Sequence, residues 1–235
     1  MSDTVVVKLG GTTLAQEQVT LAELAALHTE RPVVIVHGGG KRLSAWLERL
    51  GVESHFSGGL RVTDDDALEV ALGVLGGVVN GELVAALRGL GADAVGMRGL
   101  DGGTLSGERA HRLGRVVANP RADPGLLATL LRAEHLPVVS PLGLDADGII
   151  CNVNADDAAA AIVAALGGQL ILMTDTDGVR GSDGERIDEL TATVAARLID
   201  TDVIAGGMVP KVRSALRALE EGQGVDRIVI VDGRG

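Results

Sequence analysis

Aromatic residues and cysteine are almost missing from this sequence. Its 235 residues include one Phe, one Trp, no Tyr and a single cysteine, Cys151. Because proteins that hold single-stranded nucleic acid stack the bases on aromatic rings, this scarcity nearly excludes that class of partner. A single cysteine cannot form an internal disulfide and suits the reducing cytosol. The sequence therefore predicts a cytoplasmic location and no nucleic-acid partner.

Membrane and metal signals are scarce as well. The net charge of −11 disfavours polyanionic partners and anionic membrane surfaces. No run approaches the roughly 20 consecutive apolar residues that cross a bilayer. A predicted core strand follows Met1 within three residues, which leaves no room for a signal peptide. The five histidines are scattered without ligand spacing, so the sequence predicts no membrane partner and no metal site held by the protein.

Lysine is the rarest charged residue, with only Lys8, Lys41 and Lys211 among 21 basic residues. Lys8 and Lys211 both stand in glycine-bearing junctions. This composition uses arginine for ordinary surface charge, whereas a compact ammonium suits a phosphoryl oxygen that a planar guanidinium would crowd. The pair therefore indicates phosphoryl transfer. Lys41 fits neither known glycine-rich phosphate motif, so we interpret it as a surface residue in the first turn of a helix.

Short β-branched runs alternate with Ala- and Leu-rich helical patterns, which is typical of a mainly parallel sheet with helices on its faces. The length suits one large α/β domain or two small lobes, and we divide the chain into 1–168 and 169–235. Strands are predicted at 5–7, 33–36, 94–97, 115–117, 137–139, 148–152, 169–173 and 227–231. Helices are predicted at 15–28, 40–51, 64–87, 124–134, 155–166, 191–200 and 209–221.

Polar or glycine-rich junctions follow several predicted strands, and ligands bind at the carboxyl ends of parallel strands. The junction 37–40 holds three glycines and opens a helix, where backbone N–H groups favour an anion; a tight turn would need only one glycine. Arg61, just before a helix that Thr63 is expected to cap, can clamp a carboxylate, although a surface arginine fits equally. Asn154 and Asp156 fit a ligand site, but helix capping and dipole stabilisation also explain them.

Taken in order, these segments resemble the amino acid kinase family. The similarity spans residues 4–234, and the strings Gly-Leu-Arg-Val-Thr-Asp and Asn-Val-Asn-Ala-Asp are much more specific than any pair of glycines. The matching stretches are Val7–Gly11, Val36–Gly40, Gly59–Asp64, Asn152–Asp156, Leu172–Asp175 and Gly206–Val212. The resemblance implies the amino acid kinase fold, a three-layer αβα sandwich with a mainly parallel central sheet. It also implies an N-terminal lobe that binds the acyl amino acid and a C-terminal lobe that binds ATP.

Within the family, the segments are most similar to enzymes that phosphorylate the γ-carboxylate of N-acetyl-L-glutamate with ATP and Mg²⁺ in arginine biosynthesis. By matching position, Lys8 and Lys211 would stabilise the transferring phosphoryl group, and Asp156 would orient both ammonium groups. The residues implied for substrate binding are Gly11, Gly39, Gly40, Arg61 and Asn152. Those implied for nucleotide binding are Gly10, Thr174, Asp175, Gly178, Val179, Met208 and Lys211. The acceptor carboxylate is already ionised at pH 7, so the reaction needs alignment and charge neutralisation rather than a general base.

Two other functions stay open. One is the related kinase that phosphorylates α-aminoadipate or glutamate held on an acidic carrier protein; the other is a non-catalytic amino-acid-binding regulator with the same fold. A carrier would require an extended basic rim, and the Arg61 segment is more similar to enzymes with a free substrate. Retention of Lys8, Asp156 and Lys211 together argues against a non-catalytic protein. Arg98 stands where relatives usually carry a small residue, a departure within the substrate pocket.

The helix predicted at 64–87 also bears on assembly. It carries Gly73, Gly76 and Gly77, which destabilise a helix interior unless something packs closely against them. The resemblance places this helix at a two-fold interface, so we expect a homodimer. Only three residues precede Thr4, so we also expect no N-terminal helix of the kind that arginine-inhibited hexamers use, and no inhibition by arginine.

Overall fold

The computed structural model describes residues 3–10 and 18–233, without the side chain of Gln18. Its strands are β1 Val5–Leu9, β2 Val33–His37, β3 Phe56–Ser57, β4 Leu60–Arg61, β5 Ala94–Arg98, β6 Leu105–Gly107, β7 Val116–Val117, β8 Arg121–Ala122, β9 Leu136–Ser140, β10 Leu142–Asp145, β11 Ile150–Val153, β12 Gly168–Thr174 and β13 Val225–Asp232. Its α-helices are α1 Gln18–Glu30, α2 Gly40–Leu50, α3 Asp65–Gly73, α4 Asn80–Gly89, α5 Gly125–Arg132, α6 Ala155–Leu166, α7 Ala192–Asp200 and α8 Met208–Glu221.

A six-stranded parallel sheet in the order β13-β12-β1-β2-β9-β5 forms the middle layer. Because side chains alternate along a strand, Val5 and Val7 face one side of this sheet while Val6 faces the other. The first side packs against α1 and α4, and the second against α5, α6 and α8. Helices therefore cover both faces, as in the predicted αβα sandwich. The Val-rich runs predicted as buried strands are fully buried, as is typical of parallel sheets.

A second, mixed sheet has the order β7-β11-β10-β6-β8, and β3 and β4 form a hairpin. The sequence predicted β7 and β11 but missed β6, β8 and β10. These strands have only two to four residues, and β6 and β10 contain glycine, so they carry too little of the strand pattern. Gly143 illustrates the difficulty. A Cβ atom there would lie 2.9 Å from the carbonyl oxygen of Leu105, so close strand packing requires the glycine that weakens the strand signal.

The predicted helices agree with the structure except at their ends. Residues 15–17 of the first predicted helix lie outside the described residues, and the helix continues to Glu30. Thr63 is not the cap of α3; the side chain of Asp64 accepts the N–H of Ala67 at 2.8 Å, while Thr63 is buried. The predicted division between 168 and 169 falls at the start of β12, inside the central sheet. That division into two lobes stays a prediction.

One long helical stretch runs from Asp65 to Gly89, where α3 and α4 are joined by the π-helical turn Val74–Val79. By length and composition it could cross a membrane, although no run of the sequence was expected to approach that length. Core helices of soluble proteins meet the same criterion, and 33% of its apolar window is buried. Buried Asn80 donates to the Val138 carbonyl at 2.9 Å, which ties this stretch to the central sheet.

Candidate active site

Three of the predicted residues meet at the carboxyl end of the central sheet. Lys8 lies near the end of β1, Asp156 in the first turn of α6, and Lys211 in the first turn of α8. The Lys8 Nζ is 2.9 Å from Asp156 Oδ1, and the Lys211 Nζ is 3.8 Å from Asp156 Oδ2. The angles of the Lys8 contact do not satisfy a hydrogen bond, so we describe it as an ion pair. The Asp156 side chain is only 7% exposed, and a buried carboxylate is stable there because two cations flank it.

Local structure explains why Asp156 points to the lysines. Asn154 accepts hydrogen bonds from the N–H groups of Asp156 and Asp157, at 2.8 and 3.1 Å, and so caps α6. This confirms the capping interpretation of Asn154. Strand β1 pairs with β12 on one side and with β2 on the other, so the segments that follow all three strands lie beside Lys8. The helix dipole further favours a negative charge at Asp156.

A cleft of about 180 Å³ opens next to this ion-pair cluster. It is lined by Lys8, Lys41 and Lys211 together with Gly10, Thr174 and Asp175, among others. All three lysines of the chain therefore line one cleft. The interpretation of Lys41 as a surface residue in the first turn of a helix is confirmed, since it is exposed and follows Gly40 at the start of α2. The structure adds that Lys41 lines the cleft, because α2 begins directly after β2, the neighbour of β1. No sequence motif indicated that Lys41 lies at the cleft. The one indication in the sequence was the rarity of lysine.

Asp175 carries a second negative charge in the cleft. The pKa of its carboxyl is lowered, chiefly by a hydrogen bond from its own backbone N–H. The Thr174 hydroxyl, at 3.2 Å, and the charges of Lys211 and Lys41 lower this pKa further, against the opposing effect of burial. Asp175 is therefore ionised at neutral pH. Together with Asp156 of the adjacent ion-pair cluster, it sets two carboxylates against three ammonium groups.

Arg61 is buried but has no acidic partner among the described residues. Its guanidinium donates to the Ser44 hydroxyl at 2.8 Å and to the Gly40 carbonyl at 3.2 Å, and it also contacts Ser54. It lies 4.6 Å from the centre of the Phe56 ring. Burial lowers the pKa of this group. The charge of a buried cation that contacts only neutral groups is not balanced, and a carboxylate ligand would balance it.

Asn152 lies close to the Arg61 segment, as the resemblance implies. Its side-chain amide donates to the Thr63 hydroxyl at 3.2 Å, and that hydroxyl also contacts the Arg61 carbonyl at 3.4 Å. Thr63 thus links two residues predicted to bind substrate, a role hidden by its interpretation as a helix cap. Gly39 has a φ of +125°, and a Cβ atom there would approach Leu75 to 2.8 Å, so only glycine fits. Gly11 lies outside the described residues.

The residues predicted to bind nucleotide fall into separate groups. Gly10, Thr174, Asp175 and Lys211 line the 180 Å³ cleft. Gly178 and Val179 instead line a larger groove of about 880 Å³ between β13, α7 and α8. Met208 lines neither cavity. The structure thus brings the predicted phosphate-contacting residues together and leaves the remainder distributed over the C-terminal part of the chain.

His37, at the end of β2, supports the glycine turn that follows it. Its ring contacts the Gly38 carbonyl at 2.8 Å through Nδ1 and the Asn80 amide at 3.1 Å through Nε2. These partners fit a neutral ring that donates from Nδ1 and accepts at Nε2. Burial lowers the pKa of His37 to about 4, so the ring carries no charge at neutral pH. Asn80 was not identified from the sequence because it occurs within an otherwise apolar helical pattern.

Comparisons with known proteins cover nearly the whole chain. The profile of the amino acid kinase family matches residues 3–232. An acetylglutamate kinase of Geobacillus kaustophilus is 44% identical over 241 residues, which cover 100% of this chain and 92% of the relative. An acetylglutamate kinase of Caulobacter vibrioides is 40% identical over 99% of this chain and 84% of its own length.

Solved structures show the same fold. The crystal structure of smu.665 from Streptococcus mutans UA159 superposes with a TM-score of 0.85 at 27% identity, covering 99% of this chain and 96% of that one. The N-acetylglutamate synthase of Neisseria gonorrhoeae, solved with coenzyme A and N-acetyl-glutamate, gives a TM-score of 0.83 at 26% identity. That match covers 99% of this chain and 55% of the synthase.

Proposed function

This chain belongs to the amino acid kinase family, and from that premise we propose that it phosphorylates N-acetyl-L-glutamate. The enzyme transfers the γ-phosphoryl group of ATP to the γ-carboxylate and forms N-acetyl-L-glutamyl 5-phosphate for arginine biosynthesis. Relatives named acetylglutamate kinase match nearly the whole chain at 37–44% identity. The observation that carries the proposal is the sharing of Asp156 by Lys8 and Lys211. It is joined by a buried Arg61 that has no acidic partner within residues 3–10 and 18–233.

The chemistry follows from these charges. A carboxylate oxygen of the acceptor attacks the γ-phosphorus, the bond from that phosphorus to the bridging oxygen breaks, and ADP leaves with the electron pair. Because the acceptor is ionised, no proton must be removed. Lys8 and Lys211 neutralise charge on the equatorial oxygens of the transferring group. Asp156 holds both ammonium groups in position and keeps like charges from pushing them apart.

ATP is the co-substrate, and we propose that Mg²⁺ enters with its phosphates. Mg²⁺ usually binds through one or two carboxylates together with substrate phosphates, rather than in a cage of protein ligands. Within 3–10 and 18–233, no group of three or more His, Cys, Asp or Glu side chains could hold a metal by itself. The ionised Asp175 is the cleft carboxylate that would meet such a metal, and the metal would neutralise phosphate charge.

The acceptor site is proposed around Arg61, which contacts the Gly40 carbonyl at the start of α2. Arg61 would clamp the α-carboxylate of the substrate with two hydrogen bonds. Asn152 would hold the acetamido group. The N–H groups of Gly39 and Gly40, at the start of α2, lack partners within the helix and would meet the γ-carboxylate, as Gly11 would meet the phosphoryl group. Each of these assignments rests on matching position, together with the geometry described above.

We further propose a homodimer built on the long helical stretch 65–89. Gly76 is packed within the chain, where a Cβ atom would lie 3.2 Å from Arg98 and Leu142. Gly73 and Gly77 are exposed, and apart from the neighbouring backbone of their own helix nothing in the described chain lies within 4 Å of a Cβ atom placed on them. A second copy would cover the exposed side of this apolar helix, on which Gly73 and Gly77 lie. We also propose a cytoplasmic enzyme with an acceptor-binding lobe at 1–168 and a nucleotide-binding lobe at 169–235.

A coupled assay of ADP release tests the reaction. Free N-acetyl-L-glutamate, glutamate and aspartate are compared, and we expect kcat/KM for N-acetyl-L-glutamate to be roughly 10²-fold or more above the others. Arg61→Ala should raise the KM for N-acetyl-L-glutamate far more than the KM for ATP, since it removes a ground-state clamp. Equal turnover of all three acids, or no turnover of any free acid, would refute the proposal. The latter result would favour an acceptor held on a carrier protein or a non-catalytic role.

A further inference from the structure

Asp157, the neighbour of Asp156, joins two helices of the site. It lies in the first turn of α6, and its Oδ1 accepts the Ser214 hydroxyl at 2.6 Å and the Arg217 guanidinium at 3.0 Å, both from α8. Arg217 also donates to Asn119. The side chains of Arg217 and Asp157 are only 16% and 17% exposed, and Ser214 is 2% exposed. Such a sheltered, charge-assisted contact is stronger than an ion pair on an open surface.

These contacts lie one helical turn from Lys211. Ser214 follows Lys211 by three residues, so the two side chains occupy neighbouring positions on one face of α8. Asp156 and Asp157 are adjacent in α6. The Lys211 Nζ is 3.8 Å from the Asp156 carboxylate, whereas the Lys8 Nζ is 2.9 Å from it, so Lys211 is the more loosely held of the two. Its position therefore depends on where α8 lies against α6.

Apolar packing alone leaves that position poorly defined. Buried alanines of α6 pack against Ala215 and Ala218 of α8. Contacts between small apolar side chains are non-directional and let one helix slide along the other. Hydrogen bonds depend steeply on distance and angle. The two that Asp157 accepts from Ser214 and Arg217 therefore fix the register of α8 on α6.

We propose that Asp157 is a positioning residue that clamps α8 to α6 and thereby sets the distance of Lys211 from the transferring phosphoryl group. It acts through Lys211 and touches no reacting atom. The inference deepens the proposed phosphoryl transfer and rests on it. The Ser214 hydroxyl has one proton and also lies 2.8 Å from the Pro210 carbonyl. The carboxylate is the stronger and closer acceptor, so the proton points to Asp157.

A purely local role for Asp157 makes different predictions. An acidic residue in the first turn of a helix stabilises the helix dipole, whatever lies opposite it. In that case Ser214→Ala would leave turnover unchanged. Asp157→Asn would lower only the melting temperature, as would Asp66→Asn, which removes an exposed first-turn acid of α3 and serves as the matched control.

The test uses Asp157→Ala, Asp157→Asn and Ser214→Ala in the full chain, assayed with the best acceptor found for the wild type. We expect each variant to lower kcat, Asp157→Ala by about tenfold or more, because small misplacements of a catalytic group are costly. The KM for the acceptor should change by less than about twofold, since Arg61 is untouched. Asp157→Ala added to Lys211→Ala should cost nothing further. An equal loss in both backgrounds would overturn the proposal.

Crystal structures supply a readout that needs no turnover. In Asp157→Ala, the Lys211 Nζ should lie at least ~1 Å farther from the Asp156 carboxylate than in the wild type, while the Lys8 contact stays in place. An unchanged Lys211 position would overturn the clamp even if the acceptor were a different acid. If Asp157→Ala fails to fold, Ser214→Ala and Asp157→Asn carry the same kinetic and structural comparison.

Discussion

At the scale of single residues, the cleft reverses the charge of the molecule. The whole chain has a net charge of −11, yet Lys8, Lys41 and Lys211 outnumber Asp156 and Asp175 where the phosphates are expected. A local positive potential can attract an anion against a negative average, because charges beyond a Debye length of about 8 Å are screened. A negative average charge disfavours polyanions elsewhere on the surface.

The identity of two lysines, and not only their charge, should matter. We predict that Lys8→Arg and Lys211→Arg each lower kcat by roughly 10²-fold or more, because a guanidinium cannot place one compact donor at the transition-state oxygen. Steady-state kinetics measure the effect, with circular dichroism to verify folding. Arg42→Lys, an exchange on an exposed pair with Glu82, is the control and should be silent. Near-wild-type turnover in both lysine variants would rule out their transition-state role.

Lys41 offers a sharper comparison with its neighbour. It lines the cleft and forms no ion pair within the described ranges, whereas Arg42 pairs with Glu82 at 2.8 Å. We predict that Lys41→Gln raises the KM for ATP by roughly three- to tenfold, with a smaller change in kcat, since an exposed charge contributes modestly to binding. Arg42→Gln removes the same charge one residue later and should leave both constants unchanged. Equal effects of the two variants would indicate a general charge effect.

At the scale of elements, His37 and Asn80 connect the end of β2 to the long helical stretch. The Asn80 amide contacts both the His37 ring and the Val138 carbonyl of β9, so three elements meet at one buried polar group. Buried polar groups stabilise a fold only when they are hydrogen-bonded, and the neutral ring is part of that arrangement. Protonation of His37 would place a charge in this interior.

The stability of the protein should therefore fall with falling pH. The unfolded chain protonates His37 near pH 6.5, while the folded chain does so only near pH 4. As pH drops through this window the unfolded state binds more protons, and the free energy of unfolding declines by up to roughly 3 kcal/mol. Urea unfolding from pH 7 to 4 measures the decline. In His37→Gln the free energy of unfolding should decline less steeply with falling pH than in the wild type, because the two proteins share all other titrating groups. Identical slopes in the two proteins would contradict the assignment of the decline to His37.

The sequence predicted most elements because the buried parallel strands are continuous apolar runs and some helices carry a recognisable cap. Val33–Val36 and the Asn154 cap are recognisable without any neighbours. The short strands of the mixed sheet depend on partners distant in the chain, as Gly143 does on Leu105. The position of Lys41 at the cleft was missed for the same reason, since it follows from the pairing of β1 with β2. Information that exists only as proximity in the fold is not present in a local pattern.

At the scale of the whole molecule, the site lies between parts of the chain that are far apart in sequence. Lys8 and Lys211 are separated by some two hundred residues, yet both reach Asp156 because β1 and β12 are neighbours and α8 packs on α6. The cleft is therefore sensitive to how the two proposed lobes lie against each other. A contact such as that of Asp157 with α8 matters for this reason.

The exposed side of the long helical stretch makes a prediction about assembly. Light scattering at micromolar concentration should give about twice the 24.0 kDa chain mass. Gly73→Leu should yield monomers, because the added side chain meets open space in one chain but would collide with a second copy across a two-fold axis. Gly89→Leu, near the end of the same stretch and also in open space, is the matched control and should remain dimeric. A wild-type monomer, or dissociation by both variants alike, would show that this helix face is not the interface.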